Sequence, residues 1–308
     1  MPLPHLSRYV AFSTDPAGGN PAGVWVGEAH PAPAEMQRIA ADVGYSETAF
    51  VASGAGRDRA VRYFSPAVEV PFCGHATIAT GVALGAAEGE GTYRLATTAG
   101  VVPVEVRRDD SGAWTASLTS VEPEHRPAPP AVVDAALDAL GWQRDELDDA
   151  IPPALAYAGA WHLVLAAATR ERLAALDYDA DALGGLLRRE CCVTAQLVWR
   201  ERTDLFHARN PFPVGGVVED PATGAAAAAL GGYLRGAGLA TPPTSFTVRQ
   251  GEDMGRPSVL RVHVPERGGV VVSGRATVIG QGGVASRFGL GSTGRAGAEP
   301  LAGDGRGE

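Results

Sequence analysis

Two segments of this chain are apolar on every side. GHATIATGVALG begins at Gly74 and TGAAAAALGGYLRG at Thr223. A surface helix shows a polar face, so a helix without one belongs inside its protein. Alanine and glycine keep such a helix thin. Glycine in a helix interior costs about 1 kcal/mol relative to alanine, so Gly81, Gly85, Gly231 and Gly232 imply close approach by other backbone or side chains. A slide of 150 residues lays Gly74, Ala76, Ala79, Gly81 and Leu84 over Gly224, Ala226, Ala229, Gly231 and Leu234. The order of elements around each segment also repeats. We expect a pseudo-duplicated protein, each half a mostly antiparallel sheet wrapped around one buried helix.

The flanking sequence supplies those sheets. LSRYVAF, AGVWVG, TAFVA, RAVRYFS, TYRLATT, VVPVEV and WTASLTS read as strands of the first half. PAPAEMQRIAADVG reads as a helix burying Met36, Ile39, Ala40 and Val43 and stopping at Gly44. VEPEHRPAPPAV, with its four prolines, reads as an interdomain linker. Beyond it come helices in AVVDAALDAL and DADALGGLLRRE, and strands in AWHLVLA, CCVTAQLVW, DLFHAR, SFTVRQ and VLRVHV. GGVVVSGRATVIG reads as a hairpin. Smaller matches set Gly100 over Gly251 and Pro66 over Pro211. The expected domains are residues 1–120 and 121–288, with the last strand or helix free to return to the first domain. Residues 289–308 read as a disordered tail.

Composition bounds the function. Hydrophobic residues at 45% and charged residues at 20% suit a soluble protein with a large core. A net charge of −9 argues against nucleic acid and against an anionic membrane surface. No run is long and apolar enough to span a bilayer, and MPLPHLSRYVAF does not read as a signal peptide. Three cysteines, Cys73, Cys191 and Cys192, make no disulfide framework, and the adjacent pair reads as small hydrophobes. A cytoplasmic protein is expected.

Packing accounts for the helices but not for their starts. The first begins Cys73-Gly74-His75 and the second follows Glu219-Asp220-Pro221-Ala222-Thr223. A helix N-terminus presents free N–H groups and partial positive charge, which hold a carboxylate. Singly, Asp220 or Thr223 more often caps a helix, and a histidine such as His75 is more often structural. Two such starts facing one cleft would make an anion site. GYSETAFV adds Glu47 at a strand entrance. A strand-end carboxylate is commonly a surface group, but one desolvated by Tyr45, Ala49 and Phe50 suits a general base.

GGNPAGV, YSETAF, EVPFCGHAT, EDPATGAA and VRQGEDMGRPS, in this order and spacing, resemble the PhzF-like family of phenazine biosynthesis proteins over about residues 6–288. The resemblance implies the α+β fold of diaminopimelate epimerase: two pseudo-duplicated domains, each a β-barrel around a central helix, with the active site between them. It implies an isomerase of secondary metabolism that shifts a proton, and with it a double bond, on a small unsaturated carboxylate. Neither a metal nor an organic cofactor is implied, and the usual assembly is a homodimer. Glu47 corresponds to the proton-transfer base, and His75 and Asp220 to its catalytic companions. Cys73, Gly74, Ala76, Thr223, Gly224 and Ala225 fall at the helix starts that bind substrate. Ala225 stands where many relatives have serine. Cys73 stands where epimerase-like racemases carry one of two catalytic cysteines, so a cysteine-assisted racemase is the alternative. A non-catalytic ligand-binding member of the fold is the third reading.

Overall fold

Pro33 in its first turn and Gly44 in the left-handed conformation (φ 70°) bound the first helix where its sequence predicts. In the computed structural model, which describes residues 6–280, the elements of the first half follow in chain order. They are β1 (Leu6–Ala11), β2 (Asn20–Gly27), α1 (Pro33–Val43), β3 (Glu47–Ser53), β4 (Asp58–Phe64) and β5 (Glu69–Val70). Helix α2 (Gly74–Glu88) and strands β6 (Gly91–Thr97), β7 (Gly100–Arg108) and β8 (Trp114–Thr119) complete it. The second half opens with β9 (Glu124–Pro127), α3 (Pro130–Leu140), β10 (Ala154–Tyr157), β11 (Trp161–Ala166), α4 (Arg170–Ala174) and α5 (Ala180–Arg189). It continues with β12 (Cys192–Arg202), β13 (Leu205–Phe212), β14 (Val217–Asp220) and α6 (Gly224–Gly236). Strands β15 (Thr244–Gln250), β16 (Ser258–Val264) and β17 (Val271–Val278) end the described chain. The tail expected over 289–308, and the last residues of the second expected domain, lie outside the described residues.

The first half closes into a barrel in the order β1-β2-β3-β4-β6-β7-β8-β17 and back to β1. The β2–β3 and β4–β6 pairs are parallel and the rest antiparallel. The second half runs β9-β10-β11-β12-β13-β15-β16-β17. Its parallel pairs, β11–β12 and β13–β15, fall at the equivalent places. This is the α+β duplication expected of the diaminopimelate epimerase-like fold.

Helices α2 and α6 run inside the two barrels and share one core with the inward residues of both. A Cβ added to Gly81 would lie 2.8 Å from that of Ala116, and one on Gly231 2.9 Å from Val264 Cγ2. The mid-helix glycines therefore let strands approach. Helix α1 packs outside the first barrel on Trp25, Phe50 and Phe64. Helices α3 and α5 cover the second barrel on Leu155, Leu163, Leu165 and Leu197.

Some expectations fail for physical reasons. VEPEHRPAPPAV is not a free linker, because Glu124–Pro127 pairs with β10. Pro127 is that strand's last residue, and Pro130 starts α3, where a missing N–H costs nothing. GGVVVSGRATVIG is one strand, not a hairpin. Its central Gly274 makes room for Phe12, whose Cδ1 would lie 2.3 Å from an added Cβ. Cys192 is buried, but Cys191 is exposed with a positive φ of 56° rather than packed. The match of Pro66 to Pro211 is not structural. Tyr63 pairs with Val70 and Asn210 with Asp220, so Tyr63 corresponds to Asn210.

Candidate active site

Cys73 and Thr223 are the N-cap residues of α2 and α6, so the two helix starts occupy equivalent places in the duplication. Within each first turn, the N–H groups of Gly74–Ala76 and Gly224–Ala225 lack an intrahelical acceptor, as helix geometry requires. A Cβ added to Gly74 would meet nothing within 4 Å, so this backbone faces open space. Helices α2 and α6 touch each other.

Glu47 enters from the first position of β3 with its side chain 22% exposed. Strand alternation places Ala49 and Val51 on its side, in the barrel interior, whereas Phe50 and Tyr45 pack outside under α1. Ala49 is thus the only expected apolar neighbour on the carboxylate's own face. The Cys73 thiol donates to Glu47 Oε2 at 3.5 Å, and His75 Nε2 stands 3.4 Å from the same oxygen. Cys73 Sγ is 3.4 Å from His75 Nδ1, and the Ser46 hydroxyl is 3.3 Å from His75 Nε2. Three groups from two separate motifs, YSETAF and EVPFCGHAT, therefore touch. Burial, then the nearby Glu47 charge, pushes the Cys73 thiol well above its ordinary pKa, opposed by the Ala76 N–H.

Asp220 comes from the second half. Neighbouring Glu219 points the other way into a buried pair with Arg209, Nε to Oε1 at 3.0 Å, which ties β14 to β13 from outside. Asp220 Oδ1 accepts from Asn20 Nδ2 at 2.7 Å, a contact between the two halves. Its Oδ2 accepts from the Thr223 hydroxyl at 2.5 Å. Although the residue as a whole is not fully buried, these partners enclose its carboxyl. Burial raises its pKa to about 6, with His75, Thr223 and Asn20 opposing and the Glu47 charge assisting. The charges of Glu47, His75 and Cys73 all act on Asp220 or are acted on by it.

Thr223 serves Asp220 and its own helix. Its N–H donates to Gln250 Oε1 at 3.1 Å, and Gln250 Nε2 donates to the Asp220 carbonyl at 2.7 Å. Asn20, Ser46 and Gln250 were not singled out from sequence, although each lies beside or inside a recognised motif. Asn20 is 2% exposed and Gln250 1%, burial that a polar side chain tolerates only with such partners. The duplication is chemically lopsided. Carrying the strand register back from Asn210 puts Thr194 where the first half has Glu47. Thr194 bonds His162 Nδ1 at 2.8 Å inside the second barrel. The helix-start counterparts of Cys73 and His75 are Thr223 and Ala225.

Glu47, Cys73 and His75 are also the metal-capable set, their ligand atoms all within 4.8 Å of one another. The groove between α3 and α5, lined by Asp138, Asp179 and Arg189, lies on the other face of the second barrel's wall.

Two barrels joined around paired helix starts, with carboxylate, thiol and imidazole in contact, define an enzyme of the diaminopimelate epimerase-like fold. Comparison with known proteins makes the class narrower. The family model for phenazine biosynthesis-like proteins (PhzC-PhzF) matches residues 9–282. The chain belongs to this family and is an isomerase of it. It is 31% identical to an uncharacterized isomerase of Bacillus subtilis, over 86% of this chain and 92% of that protein. It is 32% identical to the trans-2,3-dihydro-3-hydroxyanthranilate isomerase of Pseudomonas fluorescens, over 88% of this chain and 96% of the relative. The crystal structure of a PhzF-family phenazine biosynthesis protein from Bacillus anthracis superimposes with a TM-score of 0.80 at 24% identity. That match covers 89% of this chain and 96% of the other, and shows the shared fold.

Proposed function

We propose that this isomerase moves a proton, and with it a double bond, on a small unsaturated carboxylate, with Glu47 as the base. The observation that carries the proposal is the single Glu47 oxygen in reach of both Cys73 and His75 at the start of α2. A substrate carboxylate on the N–H groups of Gly74, Ala76, Gly224 and Ala225 would bring its neighbouring carbons towards that oxygen. The same N–H groups stabilise negative charge that develops when a proton leaves carbon. Glu47 takes the proton from one carbon and returns it to another on the same face. His75 and Asp220 orient polar groups of the substrate or assist enolisation. An Asp220 carboxyl that titrates near pH 6 can exchange a proton in the working range. Side chains supply every proton transfer in this scheme, so no cofactor takes part. Cys73 and Thr223 position their neighbours.

The alternative, a cysteine-assisted racemase, needs its acid and base on opposite sides of a stereocentre, and the 3.5 Å contact between Cys73 and Glu47 leaves no room for a substrate between them. One experiment separates the two. The protein is incubated in deuterated water with the P. fluorescens relative's substrate, trans-2,3-dihydro-3-hydroxyanthranilate, and with a panel of cyclic unsaturated amino acids, followed by NMR. Deuterium at an allylic carbon with a displaced double bond supports the proposal. Deuterium confined to a stereocentre, with no bond shift, supports the racemase. The implied homodimer is checked by light scattering of the purified chain.

A further inference from the structure

We propose that Glu47, Cys73 and His75 form a preorganised binding site for one zinc ion, with the metal taking Oε2, Sγ and Nε2. Ligand distances fix what such a site requires. With Zn–S about 2.3 Å and Zn–N and Zn–O about 2.0–2.1 Å, tetrahedral angles put S···N and S···O at about 3.5–3.6 Å and N···O at about 3.3 Å. The protein has Sγ···Nε2 at 3.8 Å, Sγ···Oε2 at 3.5 Å and Nε2···Oε2 at 3.4 Å. The three atoms are thus already one face of a tetrahedron, and a shift of a few tenths of an ångström completes it. Thiolate, imidazole and carboxylate together suit zinc among the common divalent ions, because calcium and magnesium prefer oxygen alone.

The scaffold holds the triangle without the metal. Cys73 and His75 are two residues apart at the start of α2, where the Cys73 carbonyl accepts from Thr77 N at 3.0 Å and from Thr77 Oγ1 at 2.7 Å. Glu47 comes from the first position of a strand in the closed barrel. Open space beside Gly74 leaves a way in for the ion and a fourth position for water or an anion. Among the described residues this is the only group of three or more such side chains so placed. On binding, the thiol proton leaves to water and a Zn–S bond forms, with no change of oxidation state. A bound ion would occupy the oxygen to which we assign proton abstraction. Zinc is therefore an inhibitor, a consequence that rests on the proposed function.

The test reads binding apart from turnover. Metal-free full-length protein is titrated with Zn²⁺ against a chromophoric chelator, and separately with Co²⁺ as a spectroscopic substitute. One equivalent is expected to bind at micromolar protein. Cobalt should give tetrahedral visible bands and a thiolate-to-cobalt charge-transfer band. Cys73→Ser should abolish that band, and Cys73→Ser, His75→Ala and Glu47→Gln should each weaken zinc by at least ~10-fold, the loss that even outer-shell changes produce. A Cys191→Ser/Cys192→Ser variant should bind as wild type. Circular dichroism confirms that each variant is folded, and a misfolded one leaves the other two to decide. Absence of stoichiometric binding, or a cobalt–thiolate band that survives Cys73→Ser and disappears with Cys191 and Cys192, overturns the site.

Discussion

Glu47→Gln keeps the size of the side chain and its place on β3, and removes only the basicity. Positioned general bases contribute on the order of 10²–10⁴-fold in rate. We expect at least that loss in kcat with KM little changed, read in the deuterium-incorporation assay. Cys73→Ala should lose far less, because burial holds the thiol protonated and no second cysteine faces it. Equal losses would move the chemistry to sulfur. Asp220 makes a prediction about stability. Its folded pKa, about 6, lies above the ordinary 3.8. The folded state therefore prefers the protonated carboxyl. That preference is fully present below about pH 4 and is lost as pH rises through 6. Above pH 7 the buried charge costs roughly 1–2 kcal/mol, after a discount for the residue's partial exposure. Asp220→Asn should accordingly melt above wild type at pH 8, with the difference closing towards pH 4. A constant difference across that range would refute the assigned burial penalty.

At the scale of elements, α2 separates two kinds of glycine. An added Cβ on Gly85 would sit 2.4 Å from Val106 Cγ1 and 2.9 Å from Trp114 Cε3. Overpacking of this kind costs about 1–3 kcal/mol, more than the roughly 1 kcal/mol of helix propensity that alanine adds. Gly85→Ala should lower the urea midpoint. Gly74→Ala should not, since nothing lies near its Cβ. That methyl would instead project into the space proposed for substrate and raise KM. The outcome to watch for is the reverse order, with Gly74→Ala the less stable variant. The sequence already set Gly74 at the helix start and Gly85 among the glycines that serve packing. It could not say what Gly85 packs against, because Val106 and Trp114 lie in strands β7 and β8, not in the helix.

At the scale of the molecule, β17 holds the two halves together. Its first residues pair with β16 and β8, and its last with β1, as in Val272 with Val262 and Leu118, and Val10 with Thr277. Without it the first barrel has an open seam between β1 and β8, an exposed edge that invites aggregation. Residues 1–120 expressed alone should show no cooperative unfolding by circular dichroism. Joining residues 268–280 to that fragment through a flexible linker should restore it. A cooperative transition in residues 1–120 alone would show that the seam does not matter.

Much of this protein could be read without coordinates. The two buried helices, the duplication, the face of α1 and the five motifs are local or periodic, and a residue's own neighbours in the chain determine them. Glu47, His75 and Asp220 were visible because they stand in those motifs. What stayed hidden depends on contacts across long separations. VEPEHRPAPPAV reads as a linker until β10 arrives to pair with it, and GGVVVSGRATVIG reads as a hairpin until Phe12 fills the space beside Gly274. Asn20 is 200 residues from the Asp220 carboxylate it holds. Phe50 stands three residues from Glu47 yet faces the other side of the sheet. Chain order and hydrophobic period set which elements form. Only the closing of the first barrel around α2 set which side chains share a face, and so brought the Glu47 carboxylate to a thiol and an imidazole that the chain already places two residues apart.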